Sequence, residues 1–215
     1  MKIKICCISS IQEAKTAIAS GADVLGLVGD MPSGPGIISD ELAATIAAHV
    51  PDQIETFLLS SETSAAGVIA HHRKVKSTAL QLVDELESGA YADIRTALPN
   101  VKLVQVIHVI DQDSVKQAEL AAKHVDVLLL DSGNPNLAIK ELGGTGRTHD
   151  WDLSQQIVEA VSIPVYLAGG LSAANVAQAV KQVRPYGLDL CSSVRTDDGL
   201  DAEKLTNFIE ACQSA

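Results

Sequence analysis

Positive charge is scarce in this chain, and what there is of it is scattered. Sixteen Lys and Arg stand against 27 Asp and Glu, for a formal charge of -11 and a pI near 4.8. No basic run has the length of a phosphate-backbone tract, so nucleic acid is not an expected partner. Long apolar runs are missing too, and no stretch reaches membrane-spanning length. The start, Met1-Lys2-Ile3-Lys4-Ile5, reads as a strand rather than a leader. Cysteines number only four, at positions 6, 7, 191 and 212. Neither that number nor that spacing forms a disulfide framework in a chain of this size, and a reduced, cytoplasmic protein is expected. Adjacent Cys6 and Cys7 lack the spacer that turns two thiolates toward one metal, so no metal site is expected. The histidines at 71, 72 and 108 have no companion spacing for a metal or a triad, and are taken as surface or strand-end residues.

The pattern that is present is repetition. Short β-rich apolar runs at residues 2–6, 23–28, 53–59, 77–82, 102–109, 125–130, 164–168 and 187–191 alternate with segments whose apolar residues recur every three or four positions. Ser10, Ser39, Ser61 and Ser172 stand where helix N-caps belong. Runs such as 125–130 are apolar nearly throughout, as in a parallel strand covered on both faces. Eight βα units in 215 residues predict a single-domain α/β protein, a (β/α)8 barrel over residues 1–215. The rival, an open doubly wound sheet, usually carries a Gly-rich turn after its first strand; here that strand runs into Cys6-Cys7-Ile8-Ser9-Ser10.

In a barrel, chemistry sits at the C-terminal strand ends, and alternation nominates the residues that face inward there. On the first strand Lys4 and Cys6 share the face opposite Ile3 and Ile5. An inward lysine needs a counter-charge, and Asp189 on the eighth strand, a neighbour in a closed barrel, is the expected partner. That ammonium favours a Cys6 thiolate; a buried structural thiol is the competing reading. Cys7 is expected to face the helices. Asp131 ends the sixth strand with its carboxyl at the barrel mouth, whereas Asp126 at the other end is structural. Two strand-end connections are long: residues 29–36, rich in Gly and Pro, and about twenty residues from Asp131 to Asp150, read as a lid. Gly169-Gly170 after strand seven and Ser192-Ser193 after strand eight offer N–H and hydroxyl groups to a phosphate.

Beyond these local readings, a set of motifs resembles phosphoribosylanthranilate isomerase along nearly the whole chain. They are Lys4-Ile5-Cys6, Gly21-Ala22-Asp23, Leu130-Asp131, Gly143-Gly144-Thr145-Gly146-Arg147-Thr148-His149-Asp150-Trp151, Ala168-Gly169-Gly170-Leu171 with Asn175-Val176, and Arg184-Pro185 before Leu188-Asp189. The Gly-Gly-Thr-Gly…Asp-Trp loop is the most specific of them. The resemblance implies an Amadori rearrangement of N-(5-phosphoribosyl)anthranilate in tryptophan biosynthesis, with no metal or cofactor. Asp131 would be the general acid and Cys6 the general base. Gly169, Gly170, Ser192 and Ser193 would hold the phosphate of the phosphorylated sugar, and Gly144, Arg147 and Gly36 would lie against substrate. A glycine usual after the cysteine is Cys7 here, and an arginine many members use for the anthranilate carboxylate is Gly36, which leaves Arg147 or Arg195 as candidate replacements. An isomerase of another phosphosugar and a non-catalytic phosphometabolite-binding regulator are the alternative functions. A monomer or homodimer is expected.

Overall fold

The computed structural model describes residues 1–213, so the last two residues of the expected barrel lie outside the described residues. Eight parallel strands close into a barrel in chain order. They are β1 (Lys2–Ile5), β2 (Val24–Val28), β3 (Glu55–Ser60), β4 (Ala79–Leu82), β5 (Lys102–His108), β6 (Val127–Asp131), β7 (Val165–Leu167) and β8 (Gly187–Leu190). Between and after them run α1 (Ile11–Ala19), α2 (Asp40–His49), α3 (Ala65–Val75), α4 (Ala90–Ala97), α5 (Asp113–Ala121), α6 (Trp151–Ala160), α7 (Val176–Val183) and α8 (Ala202–Gln213). A single 3-10 turn, Ser192–Val194, and a two-residue hairpin of β9 (Arg195–Thr196) and β10 (Gly199–Leu200) precede α8. Among the described residues no helix is long and apolar enough to cross a membrane.

Period-two alternation splits the buried side chains into two layers. Ile3, Ile5, Leu128 and Leu130 pack outward under the helices, in the larger cluster. Phe57, Leu59, Val104, Val106, Val127, Leu129 and Tyr166 fill the barrel itself. Phe57 and Tyr166 meet edge to face inside it, ring centroids 6.0 Å apart. Gly187 makes that possible, since a Cβ there would come within 2.5 Å of the Tyr166 ring.

Two of the four expected caps differ. Ser10 and Ser39 accept the N–H of Glu13 and Leu42 at 3.1 and 3.2 Å, as helix N-caps do. Ser61 instead donates to Asp30 O, and Ser64 caps α3 three residues later. Ser172 starts a turn in which Asn175 Oδ1 accepts its N–H, and Asn175 is the residue at the helix boundary. In both places a serine that a sequence pattern assigns to a helix start is used by the connecting loop, because the loop must first satisfy its own backbone groups.

Candidate active site at the C-terminal mouth

Continuing the β1–β8 register, with Lys4 opposite Asp189, places both side chains inside the barrel just below its mouth. Lys4 is wholly buried and its Nζ lies 2.9 Å from Asp189 Oδ1. Burial opposes the ammonium, but the charges of Asp189 and Cys6 outweigh it and hold Lys4 above its ordinary pKa. Asp189 is pushed up to about 7 by its own burial, against the pull of Lys4. Two residues above on the same face, Cys6 is also buried. A hydrogen bond from the Cys7 thiol lowers its pKa, burial raises it, and Lys4 lowers it; the balance is about 6. The surroundings of Cys6 therefore favour its thiolate.

Room for this cluster comes from β2. Gly26 has no side chain where a Cβ would stand 2.9 Å from Cys6 Sγ, 3.0 Å from Cys6 Cα and 3.1 Å from Lys4 Nζ. Sequence reading missed Gly26; its signal is a glycine in mid-strand, which marks close approach of another group.

Cys7 does not face the helices. It adopts a left-handed conformation, φ 64°, so the alternation of β1 stops at Cys6 and the Cys7 side chain turns into the mouth. Its Sγ lies 2.7 Å from Cys191 Sγ and 3.6 Å from the Pro35 carbonyl. This explains Gly36. A Cβ at Gly36 would stand 2.5 Å from Cys7 Cβ, and Gly36 itself has φ 78°. A side chain at 7 and a side chain at 36 compete for one space, so the Cys7 side chain requires the glycine at 36.

Neither arginine considered for the carboxylate reaches the cavity. Arg195 is nearly buried, paired with Glu13 at 3.1 Å, and donates to the carbonyls of Asp198, Cys6 and Cys7. Glu13 in turn accepts the N–H of Ser9 and Leu200. The pair clamps the turn after β1 to the turn after β8, a structural role that no local pattern announces. Arg147 is 59% exposed and bound to Glu141. Its backbone, not its guanidinium, packs on the site: a Cβ on Gly170 would meet Arg147 C and Thr148 N at 2.7 Å.

Asp131 ends β6 with little exposure. Oδ1 accepts the Ser132 N–H at 2.7 Å, while Oδ2 faces Gly143, where a Cβ would lie only 2.8 Å away. The connection from 131 to 150 is not structureless. Asn134 and Glu141 form an antiparallel bridge, Lys140 pairs with Asp84, and Ser33 donates to Lys140 O at 2.6 Å, which joins this loop to the one after β2. Ser132 and Thr145 hydroxyls lie 2.6 Å apart across its base, and Gly144 packs on Pro35.

These loops roof a cavity whose wall includes Cys6, Asp131, Gly144, Gly169, Gly170, Ser192, Ser193 and Asp189. Gly36 and Arg147 are not on that wall, and no Lys, Arg or His is. Gly169 and Gly170 have φ 79° and 60°. Among the described residues no acceptor takes either N–H. Two successive amides without an acceptor leave donors available to an anion there.

The histidines are more buried than a surface reading allows. His72 is buried on α3, its Nε2 2.9 Å from Ser77 O. His71 lies between Ser60 Oγ (2.8 Å) and Asp40 (3.1 Å), in space left by Gly29. His108 ends β5 buried, against Val83 O.

With this geometry in place, similarity to known proteins becomes decisive. The model of the family described as N-(5'phosphoribosyl)anthranilate (PRA) isomerase matches residues 3–211. The chain belongs to that family. Curated N-(5'-phosphoribosyl)anthranilate isomerases from Methanocella arvoryzae and Methanosarcina mazei are each 32% identical to it, over 97% and 100% of this chain and 96% and 95% of theirs. The solved isomerase from Pyrococcus furiosus superposes with a TM-score of 0.82 over the full length of both chains at 23% identity, which establishes the shared fold. As a member of the isomerase family, the chain carries Cys6 and Asp131 on one cavity wall.

Proposed function

We propose that this chain isomerises N-(5-phosphoribosyl)anthranilate to 1-(2-carboxyphenylamino)-1-deoxyribulose 5-phosphate in tryptophan biosynthesis, with Asp131 as general acid and Cys6 as general base. One observation carries the assignment: the Cys6 thiol, beside the buried Lys4 ammonium, and the strand-end carboxyl of Asp131 line the same cavity at the barrel mouth. Asp131 Oδ2 delivers a proton to the ribose ring oxygen, the C1′–O bond breaks, and the anilinic nitrogen becomes part of a protonated Schiff base. The Cys6 thiolate removes the C2′ proton to give an enolamine, which tautomerises to the ketone. One proton is given and one taken, so two side chains suffice and neither metal nor cofactor is needed. The free amides of Gly169 and Gly170, with Ser192 and Ser193, hold the phosphate and thereby fix the sugar between acid and base. Gly144 lies on the roof against the bound substrate. A related structure is described in complex with a reduced form of the product, which supports this ligand class. The unpaired state of all four cysteines fits a cytoplasmic location.

Purified protein is expected to turn over phosphoribosylanthranilate, with Cys6→Ala and Asp131→Asn each lowering kcat by about 10²–10⁴-fold. Full activity in either variant refutes the mechanism. The cation-free cavity wall favours a second reading, in which the site accepts phosphoribosylamines that lack the carboxylate. A charge-assisted bond contributes about 1.5–3 kcal/mol. If no such bond is made, kcat/KM for phosphoribosylaniline stays within about threefold of that for the anthranilate; a drop beyond about tenfold refutes that reading.

A further inference from the structure

Three of the four thiols meet at the seam where the barrel closes. Ile5 stands opposite Leu190, and Cys6 N donates to Leu190 O at 2.7 Å, so the next position in register faces Cys191. The left-handed turn at Cys7 then swings its sulfur onto Cys191 rather than along the strand. At 2.7 Å the two sulfurs are separated by little more than the roughly 2.05 Å of a disulfide bond. Cys7 is held in place: Arg195 grips its carbonyl, and the missing side chain of Gly36 leaves the space that Cys7 Cβ fills. Cys7 is buried, while Cys191 is partly open to the cavity mouth.

We propose that Cys7 and Cys191 form a reversible disulfide that ties the end of β1 to the end of β8 and switches the isomerase site off under peroxide. The switch rests on Cys6 being the base. A peroxide oxidises Cys191, the most exposed of the three thiols, to a sulfenic acid, the peroxide O–O bond breaking with loss of one water. Cys7 sulfur attacks the sulfenic sulfur; the S–S bond forms, the S–O bond breaks, and a second water leaves. Two thiols lose two electrons and two protons, and one peroxide is reduced to two waters. A dithiol reverses the bond by exchange. Oxidation removes the Cys7 S–H that supports the Cys6 thiolate, and it fixes the strand-eight side of the mouth next to Ser192.

The test uses the full chain, fully reduced, then exposed to an equimolar amount of hydrogen peroxide. Peptide mass mapping without reductant is expected to find the segment bearing Cys6 and Cys7 joined to the segment bearing Cys191, two hydrogens lighter than the sum. The cross-link persists in Cys6→Ser and is lost in Cys7→Gly and Cys191→Ser. Turnover by the wild type falls about tenfold or more and returns with dithiothreitol, whereas the oxidised-to-reduced activity ratio of Cys191→Ser stays near one. Absence of the cross-link, its loss in Cys6→Ser, or equal inactivation of Cys191→Ser overturns the proposal. Because the cross-link is read by mass, its formation in a protein without isomerase turnover supports the disulfide and refutes only the isomerase assignment.

Discussion

Replacing Lys4 by methionine keeps the length of the buried side chain and removes its charge. The ammonium sits 2.9 Å from Asp189 and favours the Cys6 thiolate. Without it, Asp189, already lifted to about 7 by burial, takes up a proton, and Cys6 rises from about 6 toward the free-thiol value of about 8.5. If Cys6 reached that value, the thiolate fraction at pH 7 would fall from about 90% to about 3%, a limit of about thirtyfold, since the Cys7 thiol still favours the thiolate in the variant. At pH 9 both forms are largely ionised and the deficit shrinks to less than about twofold. A general base works above its pKa, so wild-type kcat/KM falls as pH drops through about 6. In Lys4→Met that acidic limb moves upward by up to about 2.5 units. Breaking a buried pair costs about 3–5 kcal/mol when the remaining charge persists, so Lys4→Met/Asp189→Asn, with neither charge, serves as the stable companion. Phosphoribosylanthranilate turnover against pH, together with the ultraviolet absorbance of the thiolate, reads the shift. A limb that stays near 6 in both variants, with only a uniform drop in rate, refutes the electrostatic role of Lys4.

The glycines around this cluster yield two further expectations. Gly26→Ala drives a methyl group to 2.9 Å from Cys6 Sγ and 3.0 Å from Cys6 Cα. Backbone cannot yield as a side-chain tip does, so kcat should fall about a hundredfold, as a displacement near 1 Å causes, with a stability loss of about 1–3 kcal/mol in denaturant melts; activity within about threefold of wild type contradicts the packing argument. Gly36→Ala places a methyl group 2.5 Å from Cys7 Cβ at φ 78° and should destabilise strongly. Adding Cys7→Gly should recover part of that loss, with a coupling of about 0.5–3 kcal/mol in a double-mutant cycle; additive effects would show that the two positions do not compete for space.

Alternation and spacing alone reached the barrel, the inward face of β1 and the placement of Asp131 at the mouth, because these depend on period two and on the order of βα units, which are local properties. Lys4 and Asp189 were legible as partners for the same reason: barrel closure makes the first and last strands neighbours whatever the loops do. Alternation failed at Cys7, one residue past the strand, where a non-glycine residue in a left-handed conformation gives no sequence signal. The helix starts at Ser61 and Ser172 failed similarly, because loop hydrogen bonding competes with capping.

Read along the chain, the residues thus reveal the chemistry available and the face on which it stands: a thiol, a carboxyl, a lysine and two loops bearing Gly169-Gly170 and Ser192-Ser193 at one end of a barrel. The tertiary structure decided which of these groups touch. Gly26 presses against Cys6 and Lys4 only once the β1–β2 register is fixed. Arg195 turns away from the cavity only because Glu13, 182 positions away, captures it. Cys7 and Cys191 meet only when a barrel brings together residues 184 positions apart. Contacts of that kind depend on long-range register and loop docking, which repeat with no period along the chain.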